Sequence, residues 1–126
     1  MPTLQTNARN AMANALVDLF DAGAGAATLV FETSGDAEVA TLTFSDPAYG
    51  AAASGVAQEN SITSDTSATG GVVAQASIFD SDATKYIEMT CTAASGGGDI
   101  EITGGLTIGA GATVSCSDLS MTMPAS

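Results

Sequence analysis

The chain opens on a helical period and then changes to an extended one. In residues 6–21, Ala8, Met12, Leu16, Leu19 and Phe20 recur three and four positions apart, which sets them on one stripe of an α-helix. Thr6 or Asn7 can cap its start, and Gly23 and Gly25 close it. Roughly four turns are marginal in isolation, and Asp18 and Asp21 lie at the end where the macrodipole prefers cations. The stripe therefore has to be buried, either on the chain's own sheet or on a neighbouring subunit. From Ala27 the period is two. Residues 28–31 and 38–44 predict a hairpin around Ser34-Gly35-Asp36, with Leu29 and Phe31 on the same face as Ala40, Leu42 and Phe44.

Residues 45–71 break the pattern. Proline at Asp46-Pro47 lacks a ladder donor, Tyr49-Gly50 and Ser54-Gly55 permit close turns, and Val56, Ala57 and Ile62 are the apolar anchors. One short strand is expected near residues 60–63, and the rest predicts a surface built to lie against something. Extended patterning returns over residues 72–79, and Asp80-Ser81-Asp82 turns the chain into its clearest strand, residues 85–93. There Ile87, Met89, Cys91 and Ala93 alternate with Tyr86, Glu88, Thr90 and Thr92. Ile100 with Ile102, and Leu106 with Ile108, form short extended pieces between glycine-rich loops. A last strand is expected over residues 112–123, with a phase slip at Ser117-Asp118 that reads as a β-bulge.

One leading helix followed by short strands and glycine-rich turns predicts a mainly β domain. The expected architecture is an antiparallel β-sandwich, immunoglobulin-like or jelly-roll-like, with one N-terminal α-helix. A length of 126 residues fits a single domain over residues 1–126: a helix at 6–21, a sandwich at 27–123 and an irregular connection at 45–71.

Charge narrows the partners. Fourteen acidic residues face two basic ones, Arg9 and Lys85, for a net charge of −12. Phosphate backbones are bound by neutralising them, so nucleic acid is not an expected partner. An anionic membrane is disfavoured for the same reason, and no apolar run approaches the roughly 20 residues of a spanning helix. The N-terminal residues carry no basic stretch followed by an apolar one, so a cytosolic origin is expected. Aromatics make up only 5% of the chain, so much of the apolar content is alanine and the core is thin.

Candidate chemistry is sparse. With no histidine and one lysine, a nucleophile has no ordinary base, and no catalytic, cofactor-binding or metal-binding residues are assigned. Asp80-x-Asp82 offers carboxylates but lacks the glycine and distal glutamate of a calcium loop, and reads as a turn. Cys91 and Cys116 both fall on the expected inward phase of strands; two buried thiols are the first reading and a disulfide between neighbouring strands is the other. Candidate interface anchors are Met12, Leu16, Leu19 and Phe20 on the helix and Tyr49 in the connection.

Four segments carry a resemblance: ARNAMANALVDLFDAG, LVFETSGDAEVATLTFSDPAYGAAASGVA, NSITSDTSATGG and IGAGATVSCSDLSMTMP. Together they resemble small virion structural proteins of tailed bacteriophages. The resemblance implies a non-enzymatic part of the particle without cofactors, assembled in the host cytoplasm. It would be a decoration or cement protein on the capsid surface, repeated as a homo-oligomer and bound to the major capsid protein or other virion proteins. A tail or neck component is the nearest alternative. A surface or secreted β-sandwich that binds carbohydrate or a host protein is a further one, although Tyr49 and Tyr86, the only tyrosines, fall in different elements and offer no aromatic platform.

Overall fold

Helix α1 (Thr6–Phe20) leads into a six-stranded curled sheet in the computed structural model, which describes residues 2–125. The sheet contains β1 (Thr28–Glu32), β2 (Glu38–Phe44), β4 (Ile62–Thr63), β6 (Gln75–Phe79), β7 (Lys85–Ala93) and β8 (Ile100–Ile102), in the order β4-β2-β1-β6-β7-β8. Two small ribbons complete the chain. One pairs β3 (Val56–Ala57) with β10 (Met121–Thr122), the other β5 (Gly71–Val72) with β9 (Thr107–Ile108). The mainly β class with a single leading helix and a sandwich-like arrangement is as the sequence predicts.

Alternation explains the sheet. In the β1/β2 hairpin Leu29 faces Leu42 and Phe31 faces Ala40, and β6 continues the same inner face with Ile78 opposite Leu29. These side chains are fully or almost fully buried, together with Phe44, Ala76, Met89 and Cys91. The helix closes this core with Ala13, Val17 and Phe20, and Leu119 and Met121 near the C-terminus join the same cluster. The helix, at 15 residues, is too short to cross a membrane, and no helix among the described residues is long and apolar enough to do so.

Several expectations are corrected in detail. The buried helical stripe is Ala13, Val17 and Phe20, whereas Met12 and Leu19 are 44% and 46% exposed and Leu16 is half-buried. The helix lies against the β3 and β10 ribbon, and its inward face runs through small Ala13 and β-branched Val17 to Phe20, which turns Met12 and Leu19 to the outside. The N-cap is Gln5 without a side-chain bond, in place of Thr6 or Asn7. The connection over residues 45–71 is not a free surface: Ala48, Tyr49, Ala57 and Ala68 are buried in the chain's own core. The strand expected over residues 72–79 is interrupted at Val73 and Ala74, between β5 and β6.

The expected last strand is mostly absent as a ladder. Of residues 112–123 only Met121–Thr122 is a strand, and Val114 makes a lone bridge to Asp65. Each of these residues meets a different partner, so alternation there does not build a sheet. The β7/β8 pair is parallel, with Cys91 opposite Ile100 and Ala93 opposite Ile102. A parallel neighbour ordinarily needs a connection of about a dozen residues. Here residues 94–99 fold back directly, held by Asp99, whose carboxylate accepts from the backbone N–H of Thr90 at 3.0 Å and whose own N–H donates to the Thr90 hydroxyl. Gly96 and Gly98 are needed for this, because a Cβ at either would fall within 2.9 Å of the Thr92 side chain.

Candidate functional site

The carboxylates do structural work first. Asp80 Oδ1 accepts from the N–H of Asp82 and of Thr84, both at 2.9 Å, and its Oδ2 accepts from the Tyr86 hydroxyl at 2.8 Å. The Thr84 amide is the main cause that holds this carboxyl below the ordinary aspartate range, with the Tyr86 hydroxyl and Asp82 amide adding to it. Asp82, by contrast, takes part through its backbone, which matches a turn rather than an ion-wrapping loop. Asp65 accepts from the N–H of Thr41 and of Ser67, and its carboxyl is lowered by the same two bonds. Asp21 holds Ala48 N–H and Glu59 holds Leu119 N–H, at 2.8 and 2.9 Å.

Glu32, Asp36 and Glu88 bring carboxylate oxygens within 4.8 Å of one another, with Glu32 buried. Each has a partner already. Ser77 donates to Glu32 at 2.7 Å, Lys85 pairs with Glu88 at 3.0 Å, and the Gln75 amide donates to Asp36. Each carboxylate thus has a donor within the fold, and the trio was not legible in the sequence because Glu88 on β7 lies far along the chain from Glu32 and Asp36.

The expected interface anchors separate. Phe20 and Tyr49 are 0% and 5% exposed, their rings 5.7 Å apart, and Tyr49 also packs on Phe44. Both belong to the chain's own core and are withdrawn as interface anchors. Burial, with Glu59 nearby, raises the Tyr49 hydroxyl well above the ordinary phenol range. Met12 and Leu19 stay on the outside of α1, with Leu16 at its edge.

Cys91 and Cys116 are both free thiols, so the disulfide reading is not realised. Cys91 is buried in β7, and desolvation with Asp99 close by pushes its thiol up to about 11. Cys116 is only half-buried and lies in the irregular C-terminal segment, not on a strand.

Cys116 also marks a cleft of about 430 Å³, a feature that sequence reasoning missed. One wall is residues 99–103, containing β8; the other is residues 113–119. Phe31 and Ile108 line it as well, and half-buried Ile100, Ile102 and Val114 supply apolar patches in a lining otherwise made of polar side chains. Exposed Asp99, Glu101 and Asp118 contribute carboxylates. Strand β8 is the last strand of the sheet, and no backbone group of another described segment pairs with its outer edge. Residues 115–118 on the opposite wall likewise enter no backbone-to-backbone hydrogen bond among the described residues. A signal for this was present in the Ile100-Glu101-Ile102 alternation, but nothing in the sequence showed that its outer edge would lack a neighbour. Comparison with protein-family models, with curated proteins and with solved structures finds no match to this chain.

Proposed function

We propose that this chain is a non-enzymatic structural protein of a tailed-bacteriophage particle, a decoration protein that binds across major capsid protein subunits on the outer head shell. The observation that carries the reading is the use of its acids. Asp21, Glu59, Asp65 and Asp80 each accept from a backbone N–H of an irregular segment, those of Ala48, Leu119, Ser67 and Thr84, and Asp65 and Asp99, themselves in loops, also accept from Thr41 on β2 and Thr90 on β7, which fixes long loops without large hydrophobic residues. Such a body is suited to adding rigid contact area to an assembly, which stabilises the assembled state by binding it and not its free parts. The resemblance of its four segments to virion proteins supplies the setting. A net charge of −12 favours an outer location over a lining against packaged DNA. Repetition by shell symmetry lets modest affinity per copy suffice.

Mass spectrometry of purified particles tests this directly. The chain is expected in the particles at a fixed ratio to the major capsid protein, and in head fractions after heads and tails are separated. Its absence from particles removes the proposal, and enrichment with tails replaces the decoration role by a tail or neck role.

A further inference from the structure

The cleft between β8 and residues 113–119 is bounded by a strand whose outer edge has no backbone partner among the described residues and by an irregular segment in which residues 115–118 enter no backbone-to-backbone hydrogen bond; half-buried Ile100, Ile102 and Val114 sit among polar side chains, with carboxylates at the rim. We propose that it receives an extended arm of a different protein, one in which apolar residues alternate with lysine or arginine. The arm would pair with the free edge of β8 as an added strand. This inference rests on the cleft and not on the virion reading, so either can fail while the other stands.

Three features point to that occupant. An unpaired strand edge offers main-chain hydrogen bonds to any extended chain about 4.8 Å away, and an added strand gains affinity from these bonds and specificity from alternate side chains. Ile100, Ile102 and Val114 are each half-buried in the cleft and give apolar side chains of the arm a place to sit. A volume of about 430 Å³ accommodates a few such side chains.

Charge chooses the partner. Asp99, Glu101 and Asp118 are exposed on the cleft, and the protein's two basic residues, Arg9 and Lys85, do not line it. Arg9 is engaged elsewhere, its Nε donating to the Met123 carbonyl at 2.8 Å. A second copy of this chain brings another −12, and like charges facing each other across an interface disfavour association. Cationic side chains on the outward phase of an arm meet complementary carboxylates instead. Short length and the charge of Glu101 protect β8 against indiscriminate pairing, while leaving it open to a strand of opposite charge.

The test uses the full chain and a nonapeptide of alternating valine and lysine, with two controls of the same charge. One control is N-methylated at alternate backbone nitrogens, in both phases; the other replaces valine by serine. A variant carrying Thr103→Lys and Ser117→Lys places cations on the cleft at two exposed residues whose side chains make no hydrogen bond, so the fold is left intact. Calorimetry is expected to show binding of the first peptide that weakens roughly tenfold on N-methylation, on loss of valine and in the variant. The bound peptide should also slow alkylation of Cys116, which lines the cleft, without changing that of buried Cys91. Equal binding of the valine-lysine peptide and every control, or binding that the variant leaves unchanged, means diffuse surface attraction and overturns the proposal. Absence of binding overturns it too, as does sedimentation showing self-association that the variant abolishes.

Discussion

The Tyr49 hydroxyl donates to the backbone carbonyl of Leu119 at 2.5 Å, joining residues 70 positions apart inside the core. This bond ties the irregular connection after β2 to the irregular C-terminal segment, which share no long ladder. Tyr49→Phe keeps the ring contacts with Phe20 and Phe44 but leaves a buried carbonyl unpaired, a loss of about 1–3 kcal/mol. Urea denaturation at neutral pH should show that loss as a lower midpoint at unchanged slope. The raised hydroxyl adds an alkaline signature. Below the unfolded-state value of about 10 both states hold the proton and stability is full; above it the unfolded chain ionises first and stability falls. Tyr49→Phe should flatten that alkaline decline.

Helix α1 has an inner and an outer face that differ in consequence. Phe20→Ala empties a fully buried site against Tyr49 and Tyr86, and a loss of about 3–5 kcal/mol is expected. Met12→Ser and Leu19→Ser alter exposed positions and should stay within about 0.5 kcal/mol of the parent. Thermal melts of the three variants give the comparison. Equal losses would mean that the outer face is also packed in the folded protein. Removal of residues 1–21 takes Phe20 with it, so circular dichroism of that truncation should show loss of the sheet and not only of the helix.

Legibility in the sequence followed the number of partners an element has. Residues 38–44, 85–93 and 100–102 were legible because each sits in a ladder, and their observed bounds coincide with the predicted ones, although Val39 and Ala40 are both buried and Ala93, expected inward, is exposed. Residues 112–123 alternate just as plainly, yet Val114 bridges Asp65 while Met121 pairs with Ala57, so no single ladder forms. In the helix the larger side chains carried the predicted stripe, of which Phe20 is buried, but the inward face continues through Ala13 and Val17 and not through Met12, Leu16 and Leu19. The parallel direction of β8 depends on a short loop held by Asp99 on Thr90, and the burial of Tyr49 on contact with distant Leu119, neither of which periodicity encodes. The cleft was hidden because its walls come from separate stretches, residues 99–103 and 113–119, and because the outer edge of β8 and residues 115–118 meet no backbone partner among the described residues.

Acid should weaken the fold through the carboxylates that hold backbone amides. Asp65 and Asp80 both have lowered values in the fold, caused first by the Thr41 and Thr84 amides respectively. Their contribution is present above the unfolded-state value of about 3.9 and is lost as pH falls through the lower folded values. Denaturation midpoints of the parent should therefore drop between about pH 5 and pH 2.5. Asp65→Asn and Asp80→Asn should each lie below the parent near neutrality and converge on it in acid. A variant whose deficit stays constant across that range would show that the lost contact is geometric and not charge-dependent.

The two thiols should behave as unlike groups. Cys91 is buried in β7 with its thiol raised to about 11, whereas Cys116 is half-buried in the open cleft, and burial raises its thiol too. The thiolate is the reactive form, so both should alkylate more slowly than an unfolded thiol, with Cys116 reacting first and Cys91 only on unfolding. Intact-mass analysis during timed iodoacetamide treatment at about pH 8 resolves this as one adduct before two. Because the thiols are not joined, a reducing agent should leave the melting temperature unchanged; a fall would instead reveal a bond between them. Above about pH 9 the unfolded chain releases the Cys91 proton while the fold retains it, so stability declines with rising pH until the folded value near 11 is passed. Cys91→Ala should remove that part of the decline, at a cost from the cavity it leaves, and leave the Tyr49 contribution in place.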